Sequence, residues 1–148
     1  MLAAGCIYST SENHEALVSY KYSKDKLPPS AGMILLKAVF STLGFRGAVK
    51  MLSAIKKGGK SYEATIKKEK RPYIFVGMLV VRKQYQGQGY MRKALEIAFG
   101  EGIRRDCPVL LETDAVLKRD KYVHLGMNNI RTRKLDDSAC LYDLVKES

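Results

Sequence analysis

The tightest constraint on this chain is the uncharged run Tyr73-Ile74-Phe75-Val76-Gly77-Met78-Leu79-Val80-Val81, introduced by Pro72 and closed by Arg82. The run is too short for a buried helix. It is β-branched or aromatic on both alternating faces, so it reads as a central strand. Gly77 inside it marks a bulge or a close approach by another group. The strand empties into a turn carrying Gly87 and Gly89, and the turn opens directly into a helix expected over residues 89–105. Met91, Ala94, Leu95 and Ala98 recur at helical spacing as its buried stripe, and Glu101 with Arg105 makes a favourable i, i+4 pair outside.

A strand, a glycine turn and a helix start in direct succession have a chemical consequence. Consecutive main-chain N–H groups face one concavity, and the helix dipole adds positive potential. Glycine lets an anion reach the backbone without a Cβ in the way. Arg82, Lys83 and Arg92 raise the local positive charge further. By physical argument alone, this turn is a cradle for a diphosphate.

Around it, residues 2–8 and 16–22 read as two extended segments joined by the polar turn Ser9, Thr10, Ser11, Glu12 and Asn13, a β-hairpin. Pro28 and Pro29 break the chain and Ser30 is a suitable N-cap. Residues 31–55 are helical in pattern, with Phe45, Ala48, Val49, Leu52 and Ile55 on one face, and Gly58-Gly59 stops the helix. Residues 61–70 are lysine-rich, either a solvated helix or a loop. Residues 108–113 form a second buried strand, 115–125 a short helix closed by Gly126, and 129–135 with 139–145 a terminal antiparallel pair. The order is a mixed α/β layout, α+β in class, within one domain.

Composition narrows the function classes. An apolar fraction of 46% over 148 residues suffices for one core. No run approaches the roughly 20 apolar residues of a membrane span, and the first residues lack the basic and apolar blocks of a secretory leader, so a cytoplasmic home is expected. Cys6, Cys107 and Cys140 are odd in number and far apart, which argues against a disulfide framework, and His14 and His124 add no metal constellation. The net charge of +11 attracts anions, whether nucleic acid, acidic protein or a phosphate-rich cofactor, and disfavours a strongly cationic substrate. No strand interleaves aromatic with basic residues, so an RNA- or ribosome-binding module ranks behind. Gly58-Gly59-Lys60-Ser61 is not a P-loop, because Ala54 stands where that pattern needs glycine and a helix precedes it.

Three segments together resemble a known family. Gln86-Gly87-Gln88-Gly89-Tyr90-Met91 resembles the cofactor motif of the GNAT acetyltransferases, Arg/Gln-x-x-Gly-x-Gly/Ala, in its first four positions, with Met91 replacing the final small residue. Tyr122-Val123-His124-Leu125-Gly126-Met127 resembles the family's Tyr-x-x-x-Gly-Phe signature, with Met127 for Phe. Leu110-Leu111-Glu112-Thr113 resembles the strand that splays from its neighbour to admit the cofactor. Lys118 stands where the family often has Asn, and the family normally places a strand and one or two helices ahead of the hairpin, so the resemblance implies a domain shortened at its N-terminus.

The resemblance implies a GNAT-like acyl-CoA N-acyltransferase fold, with a mostly antiparallel central sheet flanked by helices. Residues 1–29 would be the hairpin, 30–70 a helical insertion and 71–148 the acetyl-CoA-binding core. It further implies that the backbone of Leu79, Val80 and Val81 pairs with a pantetheine arm, that Gln86, Gly87, Gln88, Gly89, Tyr90, Met91 and Arg92 hold the pyrophosphate, and that Tyr122 protonates the leaving thiolate. For the base there are several candidates: Glu112, Tyr73 or a water chain. The implied activity is acetyl transfer to an amine on a small molecule or peptide. A non-catalytic acyl-CoA-binding domain is the alternative, and an unprotected hairpin edge would favour a homodimer.

Overall fold

A computed structural model of the chain describes residues 7–25, 44, 59–136 and 139–148. The expected helices over 31–55, the N-cap at Ser30 and the hairpin residues before Ile7 lie outside them. The described elements are β1 (Ile7–Ser9), β2 (Ala16–Tyr22), α1 (Tyr62–Lys68), β3 (Ile74–Val81), a 3₁₀ turn (Lys83–Tyr85), α2 (Tyr90–Arg104), β4 (Val109–Thr113), α3 (Val116–His124), β5 (Asn128–Lys134) and β6 (Cys140–Lys146). The strands form one sheet in the order β1-β2-β3-β4-β6-β5. Its pairs are antiparallel except β3 with β4. The apolar run is central, as its composition requires.

Each face of the sheet has its own cover. On one, α2 lies over β2 and β3 while α3 lies against β4, β5 and β6. Ala94, Leu95 and Ala98 of α2 and Tyr122 of α3 meet Ile74, Val76, Val109, Leu111 and Leu144 there. The expected stripe holds, with Met91 partly buried beside it. Gly102 extends it for a steric reason: a Cβ there would lie 2.6 Å from Val109 Cγ2 and 3.0 Å from the Cys107 carbonyl. Helix and strand approach so closely that any side chain here would force one of them to shift. Expected on the outside, Glu101 does pair with Arg105 at 2.5 Å, and also with Arg104.

The other face carries α1. Residues 61–70 are neither loop nor wholly solvated helix. Ser61 caps α1 by accepting from the Ala64 N–H at 3.2 Å, and Ile66 packs fully buried against Tyr73, Leu110 and Val145. One isoleucine among lysines gives no periodic signal, yet its burial contributes about 1.5–3 kcal/mol.

Candidate active site at a parted strand pair

The register of β3 explains why the sheet opens. Met78 pairs with Ser19 and Val76 with Tyr20, which leaves Gly77 without a partner on β2. This is the bulge expected from the sequence, and it shifts the alternation by one residue. Ile74 and Val76 face the α2 side before it, and Leu79 and Val81 face that side after it. A bulge also increases local twist. Beyond it β3 no longer follows β4: the parallel pairs are Ile74 with Val109, Phe75 with Leu110 and Val76 with Leu111, and there they end. Glu112 and Thr113 continue along β6, while residues 78–81 continue along β2. The backbone edges that face one another across this gap have no strand partner among the described residues. Such edges are paired in folded proteins by something.

The run was expected to be covered on both faces, and here it is not. Met78 is 40% and Val80 45% exposed on the side away from α2. The parted end of β3 therefore shows an apolar wall.

The glycine turn sits at the mouth of the gap. Gly87 and Gly89 both have positive φ, 80° and 82°, which side-chain-bearing residues rarely adopt. Gly89 is the N-cap of α2 and offers no side-chain cap. The first amide of the helix to find a main-chain acceptor is that of Lys93, 3.2 Å from the Gly89 carbonyl. Among the described residues the amides of Gly87, Gln88, Gly89, Tyr90, Met91 and Arg92 have no recorded acceptor. They are the orphan donors of a helix start, in the dipole's positive field. Gln86 and Gln88 brace the turn, their side-chain amides donating to the Val81 carbonyl at 3.3 Å and the Gln84 carbonyl at 2.9 Å. Met91 points into the core rather than crowding the turn. Arg82 is diverted: its guanidinium donates to the Asn13 carbonyl at 3.1 Å and lies over the Tyr85 ring.

Tyr122 and Glu112 lie on opposite faces of the sheet. Tyr122 belongs to the core under α2 and α3, and burial raises its phenol above the ordinary range. Its hydroxyl has no hydrogen bond among the described residues, and no fully buried side-chain oxygen there lacks a partner. That hydroxyl therefore reaches solvent. Glu112 directly follows the last β4 residue paired with β3, and strand alternation puts it with Leu110 on the α1 side. Burial pushes its carboxyl upward, opposed by Arg133, whose Nη2 donates to Oε2 at 2.8 Å. Tyr73 is engaged elsewhere, donating to Glu63 Oε1 at 2.8 Å. Arg133 and its buried partner Asp143 were not anticipated from sequence. A lone Asp inside the apolar strand Leu141-Tyr142-Asp143-Leu144-Val145 was the available signal.

No protein-family model matches the chain, and no curated protein matches it. Solved structures do. A Drosophila melanogaster polyamine N-acetyltransferase that forms N-acetylagmatine matches with TM-score 0.60 at 16% identity, over 99% of this chain and 76% of that one. Arylalkylamine N-acetyltransferase 2 from Aedes aegypti matches with TM-score 0.60 at 12% identity, over 93% and 70%. A chain of the NatC complex bound to Gag peptide and CoA matches with TM-score 0.52 at 16% identity; this chain spans 65% of its length. At such identities the likeness is one of architecture, and the architecture is that of the GNAT N-acetyltransferases, whose cofactor motif the glycine turn resembles.

Proposed function

We propose that this chain is an N-acetyltransferase that moves an acetyl group from acetyl-CoA to an amine by direct attack. One observation carries the reading: a strand pair parts beside a helix start whose amides have no partner among the described residues. That combination offers a slot for an extended thioester arm and a grip for its diphosphate. The backbone has room for both, since a Cβ built on Gly77, Gly87 or Gly89 would meet no atom within 4 Å. The backbone of Leu79, Val80 and Val81 would pair with the pantetheine, and the amides of residues 87–92 would hold the diphosphate, with Gln86 bracing the turn. Acetyl-CoA supplies a thioester open to attack by an uncharged amine.

The residues around the gap divide the remaining work. An unpaired β3 amide near Leu79 polarises the carbonyl oxygen. Met78 and Val80 exclude water from the acceptor side. Glu112, on the α1 face, takes the proton shed by the amine as the N–C bond forms. Tyr122, on the other face, gives its proton to sulfur as the C–S bond breaks, and burial keeps that phenol protonated at neutral pH. The +11 field favours acceptors of low positive charge over polyamines.

Tyr122→Phe is expected to lower turnover by about 100-fold or more while leaving CoA affinity unchanged. Turnover can be read by thiol release with a panel of amines. Unimpaired turnover in this variant would remove Tyr122 from the mechanism. An active-site-intact chain that binds CoA but acetylates no amine would favour a non-catalytic binding domain.

A further inference from the structure

We propose that Arg133, itself locked by Asp143, is the positioning residue that fixes Glu112 beside the gap and leaves one of its carboxylate oxygens free for the acceptor amine. The inference rests on the acyl-transfer reading above and adds to it how the base is held.

Arg133 is anchored independently of Glu112. Its Nε and Nη2 donate to Asp143 Oδ1 at 2.9 and 2.7 Å. Asp143 is in turn fixed by the Tyr62 N–H, which donates to Oδ2 at 2.8 Å and ties the cluster to the N-terminus of α1. The Arg133 side chain is 4% exposed and that of Asp143 3%, so neither can swing aside for solvent. The same Nη2 reaches Glu112 Oε2. Glu112 Oε1 has no hydrogen bond among the described residues, and no fully buried side-chain oxygen there is unpaired, so Oε1 is open to solvent. One oxygen is clamped and the other presented.

Charge accounts for the rest. Two carboxylates share one guanidinium, which leaves a net negative charge at the gap of a strongly basic protein. Among the described residues, the charged groups that act most strongly on Glu112 are Arg133 from β5, Asp143 from β6 and Glu63 from α1. Arg133 favours the carboxylate form, while Asp143 and Glu63 oppose it. The two halves of the clamp therefore push Glu112 in opposite directions. Disturbing them should move its protonation midpoint with opposite sign.

The test follows the Glu112 side-chain carboxyl by 13C NMR against pH, with Glu112→Gln identifying the resonance, alongside kcat and KM. Arg133→Lys, which has no second nitrogen to hold Asp143 while the first reaches Glu112, is expected to raise the midpoint by about one unit, equivalent to about tenfold in the ionised fraction on its acid side. It should lower kcat at least as much and leave CoA affinity unchanged. Asp143→Asn is expected to lower the midpoint. Shifts of the same sign in both variants, or none, would overturn the clamp. Full turnover in Glu112→Gln would sink the assignment of the base itself. Loss of turnover there, with Arg133→Lys unaffected, would sink the clamp alone. If the buried variants do not fold, the 15Nη2 signal of Arg133, the nitrogen that donates to Glu112, decides in the unaltered chain. It should titrate with the Glu112 midpoint, and indifference to that midpoint contradicts the inference.

Discussion

The two ends of α2 are built from the same residue type for opposite purposes. At its C-terminal end Gly102 is present because nothing larger fits between helix and β4: its would-be Cβ meets Val109 and the Cys107 carbonyl. At its N-terminal end Gly87 and Gly89 face open space, hold positive φ and leave consecutive amides without acceptors among the described residues. One glycine is required by packing and two leave the backbone open. The same contrast runs through the neighbouring strands. Residues 74–76 of β3 are paired on both sides, whereas 78–81 are paired on one and Gly77 on neither, among the described residues. A sheet that closes at one end and opens at the other, over a helix that does the same, is the feature on which the proposed cofactor site rests.

This contrast can be broken most severely at the open end. Gly89→Val would place a β-branched side chain in the left-handed region and into the cradle. CoA affinity should fall by about 30- to 100-fold, the loss of one or two charge-assisted hydrogen bonds, as measured by calorimetry on protein whose far-ultraviolet spectrum is unchanged. Gly102→Ala attacks the closed end instead. It should cost about 1–3 kcal/mol of stability in denaturant titration and leave CoA affinity within about twofold, because the collision is with the core. If Gly102→Ala weakened CoA binding and Gly89→Val did not, the assignment of the two ends would be reversed.

Much of this contrast was legible in the sequence because its signals are local. An apolar run, a glycine turn and a 3.6-residue stripe specify β3, the cradle and α2 without reference to the rest of the chain, and Gly77 announced its bulge. The consequence of that bulge, an exposed wall of Met78 and Val80, depends on which neighbours follow the strand, and sequence does not carry that. The burial of Ile66 depends on Tyr73, Leu110 and Val145. The Arg133 clamp joins residues from β4, β5 and β6. Asn-Asn-Ile-Arg-Thr-Arg-Lys reads as a solvated edge strand, and only the fold reveals that its second arginine is inside.

Two smaller effects sharpen the picture of the closed end. Val109→Ala combined with Gly102→Ala should restore part of the stability lost by the latter alone, with a coupling of about 1 kcal/mol, since the nearest collision is with the Val109 methyl. Additive losses would mean that the Cys107 carbonyl, not Val109, sets the limit. Glu101→Gln should cost about 0.5 kcal/mol at neutral pH, the size of a solvent-screened pair. The hydrogen bond from Arg104, helped by Arg105, holds that carboxyl at about 2 against an ordinary 4.5. A depressed acid stabilises the fold above its ordinary value and loses that contribution as pH falls through the depressed one. The difference between parent and variant should therefore be constant above about pH 5 and vanish towards pH 2.

The most direct test of the whole account is amide NMR during titration with coenzyme A. Chemical shifts should move at residues 87–92 and 77–81 and stay still around Gly102 and Cys107. A folded chain whose cradle amides ignore millimolar coenzyme A, or respond only at the closed end of α2, would contradict it.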